Sequence, residues 1–210
     1  MRGISSKNIH ILNQNLRYEQ PSEIIKFVFQ FSENPWLTTS FGPYSAALLY
    51  AATLQKRELQ IVWCDTGYNT KATYNHAQYL IDKLKLNIDI FTPNYTTAFI
   101  ENMVGEPTID NPKHEFFSEK VKIEPFKKAL NKYKPDIWFT NLRKHQTDYR
   151  KSIDILSFTE EGILKVCPFY HFTDNQMLDF MDKHRLPAEF DYYDPVKALE
   201  NRECGIHFQG

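Results

Sequence analysis

One segment near the end of the sequence carries a thiol beside two side chains that could ionise it. Cys204 lies two residues after Arg202 and three residues before His207. A neighbouring cation stabilises the thiolate, which is the nucleophilic form of cysteine, although Glu203 would oppose that effect. Chain termini are usually loosely held, so a cysteine there is a poor choice for packing. The segment indicates nucleophilic sulfur chemistry at Cys204, and the alternative is a tail thiol with no role.

A second segment could hold an anion. Residues 40–45 read Ser-Phe-Gly-Pro-Tyr-Ser and connect an apolar strand pattern to an apolar helix pattern. Free backbone N–H groups at the start of a helix favour an anion, and Ser40 and Ser45 add hydroxyl donors. Neither a Walker A loop nor a Gly-x-Gly-x-x-Gly loop occurs in the chain. The alternative is a turn whose glycine and serines merely begin the helix.

Two further polar groups follow buried strand patterns. Asp65 could cap the next helix or accept a hydrogen bond from a ribose or an amino group. Arg143 and Arg150 lie in a loop after another strand, and the planar arginine fork matches the oxygens of sulfate or phosphate. Lys122 would add a point charge. For any one of these residues alone, a solvated polar loop is the alternative.

The hydrophobic pattern predicts the scaffold that must position these residues. Strand and helix patterns alternate in steps of about 25–30 residues, which favours an α/β fold with an open, mostly parallel, twisted sheet and helices on both faces. Strands are predicted at 36–40, 59–64, 87–91, 136–140, 153–158 and 163–167, helices at 22–31, 44–54, 71–84, 122–133 and 173–184, and a less regular region at 93–117. Ligands of such sheets bind beyond the C-terminal ends of the strands, which selects the loops 40–45, 65–69 and 141–150.

The composition limits the class of protein. With 210 residues and a formal net charge of −1, the chain is expected to form one domain and not to bind nucleic acid generally. Its three cysteines cannot ligate a four-cysteine iron–sulfur cluster, and its scattered histidines predict no metal site. No secretory leader pattern, membrane-spanning stretch or disulfide framework is recognisable, so we expect a cytoplasmic protein without membrane contact.

Five segments in the right order carry a resemblance to a known family. They are Ser40-Phe41-Gly42 with Ser45, Asp65-Thr66-Gly67, Lys122-Ile123-Glu124-Pro125, a Trp-Phe-x-x-Leu-Arg-x-x-Gln-x-x-x-Arg loop from Trp138 to Arg150, and Glu203-Cys204-Gly205-Ile206-His207. Together they resemble the phosphoadenylyl-sulfate (PAPS) reductase family over residues 22–207. The terminal cysteine motif and the arginine loop are specific, whereas the first two motifs are common in other proteins.

The resemblance implies a fold related to the adenine nucleotide alpha-hydrolases and a thiol reaction. Cys204 would attack the sulfur of 3′-phosphoadenylyl sulfate, adenosine 3′,5′-bisphosphate would leave, and an S-sulfocysteine would remain. Thioredoxin or glutaredoxin would then release sulfite, and no bound cofactor is implied. His207 would orient the substrate or stabilise the thiolate. The implied substrate-binding residues are Ser40, Phe41, Gly42, Ser45, Asp65, Thr66, Gly67, Lys122, Arg143, Gln146 and Arg150.

The resemblance also implies how the chain is organised. A single nucleotide-binding domain, 1–210, would carry a mobile C-terminal tail, about 187–210, that closes on the substrate and then meets the reductant. A homodimer is expected because members of the family commonly form one. The branch that reduces adenylyl sulfate carries cluster cysteines that are missing here, which favours the 3′-phosphorylated substrate. Cys64 and Cys167 are predicted to be packed core thiols.

The chain departs from the family in the segment before Cys204. That segment is shorter than usual and lacks the family's basic residues, and Asp191, Tyr192, Tyr193 and Asp194 occupy its middle. The missing basic residues would have helped to hold the sulfate end or the closing tail. Two alternatives therefore stay open. One is an ATP-pyrophosphatase-type adenylyltransferase, which Phe41 and Pro43 disfavour, and the other is a nucleotide-binding protein without turnover.

Overall fold

The computed structural model describes residues 3–108 and 110–196, so Cys204 and His207 lie outside the described residues. The helices are α1 Ile9–Leu16, α2 Pro21–Phe29, α3 Ser45–Gln55, α4 Lys71–Leu84, α5 Thr97–Val104, α6 His114–Ser118, α7 Glu124–Tyr133, α8 Asp148–Lys151 and α9 Asp174–Lys183. The strands are β1 Pro35–Thr39, β2 Gln60–Cys64, β3 Ile88–Phe91, β4 Ile137–Phe139, β5 Leu156–Phe158 and β6 Leu164–Val166. None of the described helices combines the length and apolar character needed to cross a bilayer.

The strands form one sheet in the order β3-β2-β1-β4-β6-β5. All neighbouring pairs are parallel except β5 with β6. The predicted open, mostly parallel sheet is therefore confirmed. The chain moves outward from β1 to β2 and β3 and then returns to place β4 on the other side of β1. A crevice forms at such a reversal of strand order, beyond the C-terminal strand ends.

Alternation along the central strands places a separate apolar core on each face of the sheet. Leu37, Ile61 and Phe139 face one core, which also contains most of α2 and α3. Trp36 and Trp138 face the other core, together with residues of α5, α6 and α7. Helices therefore cover both faces, as the strand–helix alternation predicted.

Helix α1, which the sequence pattern did not predict, covers the edge of the sheet. The Asn13 amide donates to the Leu156 carbonyl at 2.9 Å and accepts from the Leu156 N–H at 2.8 Å. This side chain thus pairs with β5 as a neighbouring strand would. An unpaired edge strand is a site of aggregation, so the contact protects the sheet.

Three predicted stretches differ from the structure. The helix predicted from Ser22 begins at Pro21, because proline suits the first helical position, where no N–H partner is required. The region 93–117 contains α5 and α6 rather than irregular chain. The helix predicted from Lys122 begins at Glu124, after a π-helical turn over Glu119–Ile123.

Candidate active site

A cavity of about 270 Å³ lies at the crevice beyond β1 and β4. Its walls come from the ends of β1, β2 and β4, the loop before α3, the loop before α8, the π-helical turn and Tyr192. Seven of the sequence-predicted binding residues line it: Ser40, Gly42, Ser45, Lys122, Arg143, Gln146 and Arg150. Four others, Phe41, Asp65, Thr66 and Gly67, are outside this lining.

The loop between β1 and α3 presents backbone and hydroxyl groups to the cavity. Phe41 has a φ of 50°, and its ring is fully buried 4.9 Å from the Trp63 ring. Its side chain therefore anchors the loop in the core instead of facing the cavity. The Ser45 hydroxyl is buried and has no hydrogen-bond partner within the described structure. A donor left unsatisfied at the start of a helix suits an anion.

Two buried guanidinium groups form the opposite wall. Arg143 and Arg150 are 4% and 5% exposed. The Gln146 side-chain oxygen accepts from the Arg143 backbone N–H at 3.0 Å and also from the Arg150 guanidinium, which fixes the loop between them. Thr147 begins α8 by accepting the Arg150 N–H at 3.2 Å. The loop predicted from the sequence thus delivers both arginines to one place.

Arg143 is positioned by an aromatic ring and a carboxylate. Its guanidinium carbon lies 4.6 Å from the centre of the Tyr44 ring. Its Nη1 lies 2.6 Å from a carboxylate oxygen of Asp174, whose side chain is 67% exposed. Its buried Nε has no hydrogen-bond partner among the described residues. Burial and the nearby Asp174 carboxylate raise the pKa of the Tyr44 hydroxyl, so that ring stays uncharged at neutral pH.

Lys122 reaches the cavity from the π-helical turn. Such turns insert a residue into a helix and are frequent at functional sites, because they displace a side chain from the regular helical face. Lys122 is 6% exposed and lines the cavity, but its ammonium forms an ion pair with the carboxylate of Asp194. Sequence reasoning gave Asp194 and Tyr192 no role, and the structure places both at this end of the site.

Asp65, Thr66 and Gly67 shape the loop after β2. The Asp65 carboxylate accepts from the Gly67 N–H at 3.0 Å, the Asn69 amide at 2.8 Å and the Tyr74 hydroxyl at 2.9 Å. Burial and the Asp65 charge raise the pKa of Tyr74 to about 12, so the hydroxyl remains a donor. Gly67 has a φ of 80°, which favours glycine. Contact of this motif with a nucleotide stays a prediction.

The two described cysteines differ. Cys167 is fully buried, and this burial raises the pKa of its thiol to about 11, so it is unreactive near neutral pH. Cys64 is only half-buried and lines the cavity. The expectation of a packed core thiol is confirmed for Cys167 and only in part for Cys64, which packs against the core that contains Trp36 but also reaches the open crevice at the end of β2. No group of three or more potential metal ligands occurs within residues 3–108 and 110–196.

Known proteins resemble this chain over most of its length. A family model described as "Phosphoadenosine phosphosulfate reductase domain" matches residues 34–190. A Synechococcus protein named phosphoadenosine 5′-phosphosulfate reductase is 27% identical over 95% of this chain and 92% of its own length. A protein of the same name from Xylella fastidiosa strain M23 is 32% identical over 83% of each chain.

Solved structures agree with the fold. A PAPS reductase from Candida auris, solved as a phosphate complex, superposes with a TM-score of 0.77 at 19% identity, over 89% of this chain and 90% of that one. FMN adenylyltransferase of Candida glabrata, in complex with FAD and pyrophosphate, reaches a TM-score of 0.56 at 13% identity, over 86% of this chain and 60% of its own. The NH3-dependent NAD synthetase of Campylobacter jejuni gives 0.56 at 13% identity, over 83% of this chain and 74% of its own. The expected likeness in fold to the adenine nucleotide alpha-hydrolases is thereby confirmed.

Proposed function

Because the chain belongs to the phosphoadenosine phosphosulfate reductase family, we propose that it reduces 3′-phosphoadenylyl sulfate through a covalent intermediate on Cys204. Membership makes it an oxidoreductase of sulfate assimilation, since its curated relatives are named for this reduction. The covalent intermediate, the binding residues and the electron donor are our proposals, and each is supported below by the chemistry of the site.

Covalent attack needs a strong nucleophile and a suitable leaving group. The Cys204 thiolate forms a bond to the sulfur of the sulfo group while the bond between that sulfur and the bridging phosphate oxygen breaks. Adenosine 3′,5′-bisphosphate leaves with the electron pair, and S-sulfocysteine remains. Cysteine suits this step because its thiolate is intrinsically nucleophilic. His207 would stabilise the thiolate or orient the substrate.

Release of sulfite needs a second thiol. A thiolate of thioredoxin or glutaredoxin attacks the Cys204 sulfur, and sulfite leaves with the electron pair of the sulfur–sulfur bond. The second thiol of the reductant then resolves the mixed disulfide and restores Cys204. Two electrons thus pass from the reductant to the sulfo group, and the protein needs no bound redox cofactor for this exchange.

The observation that carries the proposal is the pair of unsatisfied buried donors in the cavity. Ser45 Oγ and Arg143 Nε are buried without hydrogen-bond partners, and Arg150 lines the same cavity. Such groups are costly unless a ligand accepts their hydrogen bonds. An anionic substrate would satisfy them, and the positive charges would reduce its repulsion of an incoming thiolate.

The test is intact-protein mass spectrometry after mixing with 3′-phosphoadenylyl sulfate in the absence of reductant. We expect one added SO3 group, mapped by peptide analysis to Cys204, and a smaller yield with adenylyl sulfate. Cys204→Ser should lose the adduct and all sulfite output. Cys64→Ser is the matched control, because Cys64 is the described thiol that lines the cavity, and it should retain the adduct.

Three other outcomes would contradict the proposal, and each would point to a different conclusion. Full sulfite output from Cys204→Ser would exclude the covalent intermediate. Cleavage of ATP with Mg²⁺, independent of Cys204, would favour the adenylyltransferase alternative. Tight binding of adenosine 3′,5′-bisphosphate with no adduct and no sulfite would indicate a nucleotide-binding protein without turnover.

A further inference from the structure

The cavity has two ends that differ in how their positive charges are satisfied. We call Ser45, Arg143, Gln146 and Arg150 the arginine end, and Lys122, Tyr192 and Asp194 the lysine end. In the Lys122–Asp194 pair the two side chains are 7% and 4% exposed, so the pair is almost fully withdrawn from water. The carboxylate therefore holds the ammonium that a ligand anion would otherwise reach.

The orientation of the Asp194 carboxylate is fixed by its own segment. The Val196 N–H donates to Oδ1 at 3.1 Å, and the Tyr192 hydroxyl donates to Oδ2 at 3.3 Å. The Pro195 carbonyl lies 3.0 Å from Nε2 of the buried His114. Val196 is buried in the core on that face of the sheet. Asp194 is thus presented to Lys122 by a local structure and does not meet it as a freely rotating surface side chain.

Preceding residues fasten the same segment beside the cavity. Thr70 Oγ1 donates to the Asp191 carbonyl at 2.6 Å, and Thr73 Oγ1 donates to the Glu189 carboxylate at 2.9 Å. A Cβ atom on Gly42 would lie 3.5 Å from the Tyr192 ring, which shows how closely the ring approaches the loop before α3. Residues 189–196 therefore cross the mouth of the crevice from α4 to the π-helical turn.

A ligand anion finds different protein groups beside the cations at the two ends. At the arginine end, Ser45 Oγ and Arg143 Nε are buried donors without a partner among the described residues, and the carboxylate beside Arg143, that of Asp174, is exposed. At the lysine end the carboxylate is as buried as the ammonium it pairs with. Two anions on one buried ammonium repel each other strongly, because screening by water is weak there. A ligand anion at Lys122 must therefore exchange with Asp194.

We propose that the Asp194 carboxylate competes with ligand anions for the Lys122 ammonium. A ligand displaces Asp194 only when it carries a second anionic group that reaches the lysine end. A ligand with one anionic group occupies the arginine end and leaves residues 189–196 in place. A ligand with two separated anionic groups engages both ends and releases the segment that precedes Cys204. Asp194 then acts as a specificity-determining residue. The choice of a nucleotide as ligand rests on the proposed function, whereas the exchange of anions does not.

The first experiment compares anion binding by the wild type and Asp194→Asn in isothermal titration calorimetry. Asparagine keeps the size and the acceptor oxygen of aspartate but removes the charge. We expect adenosine 3′,5′-bisphosphate to bind about tenfold tighter or better, since a charge-assisted contact with Lys122 no longer requires displacement of a carboxylate. We expect inorganic sulfate to bind at one site in the wild type and at two in the variant.

The matched control is Asp191→Asn. It removes the same charge from the same segment, but the exposed Asp191 anchors the segment to Thr70 through its backbone carbonyl. Its affinity for both anions should equal that of the wild type. Unchanged or weaker nucleotide binding by Asp194→Asn, with no second sulfate, would overturn the exchange. If neither the wild type nor the variants bind the nucleotide, the proposed function fails. The number of bound sulfate ions then still shows whether an anion exchanges with Asp194.

A second measurement uses the wild type and so remains valid if Asp194→Asn folds poorly. Amide hydrogen exchange of the peptide covering 191–196 should become faster when adenosine 3′,5′-bisphosphate is added and should stay unchanged with inorganic sulfate. The Val196 N–H loses its acceptor when Asp194 leaves its position. Slower or unchanged exchange with the nucleotide bound would mean that the segment stays closed over it, and faster exchange with sulfate would mean that one anionic group is enough to release it. Either result would overturn the proposal.

Discussion

The arginine end and the lysine end both place buried cations around one cavity, but they differ in which groups pair with those cations. The arginines are held by Gln146, Tyr44 and the exposed Asp174, and buried donors remain unsatisfied beside them. Lys122 is held by a carboxylate as buried as itself. The first arrangement leaves buried donors without a partner and pairs its cation with an exposed carboxylate, whereas the second pairs its cation with a buried carboxylate.

This difference shows that burial of a cation does not by itself identify a binding site. A buried charge must be compensated, and the compensating group can be a ligand or a residue of the protein. At the arginine end, part of the compensation is missing among the described residues. At the lysine end it is supplied by a residue 72 positions away along the chain. The two ends should therefore respond differently to substitution.

The largest effect is expected from Lys122→Met. The change leaves the buried Asp194 carboxylate without the Lys122 ammonium, and removing one partner of a buried ion pair typically costs about 3–5 kcal/mol. Urea unfolding should show this loss of stability. The double variant Lys122→Met with Asp194→Asn should recover a large part of it, because the carboxylate that paired with Lys122 is removed as well.

Asp174→Asn is the control for that experiment at the other end. The Asp174 side chain is 67% exposed, so water can reach the place of its carboxylate beside Arg143, and loss of this pair should cost less stability than Lys122→Met. Equal destabilisation by Lys122→Met and Asp174→Asn would remove the distinction between the two ends.

The next effect concerns binding at the arginine end. Arg150→Met should weaken binding of adenosine 3′,5′-bisphosphate about 100-fold, since hydrogen bonds to a charged group contribute about 1.5–3 kcal/mol each. Lys151→Met is the matched control, because its side chain is 58% exposed and pairs with Asp148 at the surface. Calorimetry at the same salt concentration measures the nucleotide affinity of both variants, and circular dichroism checks that both are folded. Equal affinities of the two variants would place the anion elsewhere.

Much of the fold follows from local patterns, and so does the arginine end. The helix Lys71–Leu84 has the predicted bounds, because the Thr70 hydroxyl accepts the Thr73 N–H and fixes its start. Arg143 and Arg150 meet because one short loop follows one buried strand. Thr96 caps α5 in the same way, by accepting the Phe99 N–H, so that overlooked helix did carry a readable signal.

Other features depend on contacts that no local pattern contains. The π-helical turn before α7 follows no regular spacing of apolar residues, so its displacement of Lys122 could not be predicted. Asp194 meets Lys122 only through the packing of distant segments. Asp65 follows a strand as the binding residues do, but its carboxylate is satisfied within its own loop. Cys64 faces the cavity because β2 ends at the crevice, which strand burial alone does not reveal.

The smallest effect is expected from Ser45→Ala, and it tests the arginine end most directly. The Ser45 hydroxyl has no partner in the described structure, so its removal should leave the unfolding free energy unchanged or raise it by up to about 1 kcal/mol. Nucleotide binding should weaken by about three- to tenfold, because one hydrogen bond to the anion is lost.

Thr53→Ala on the same helix is the control for Ser45→Ala. The Thr53 hydroxyl donates to the Leu49 carbonyl at 2.7 Å, so its loss should lower stability and leave affinity unchanged. If Ser45→Ala instead lowered stability and kept full affinity, the hydroxyl would serve the fold and not the binding of an anion, and one of the two features that distinguish the arginine end would be lost.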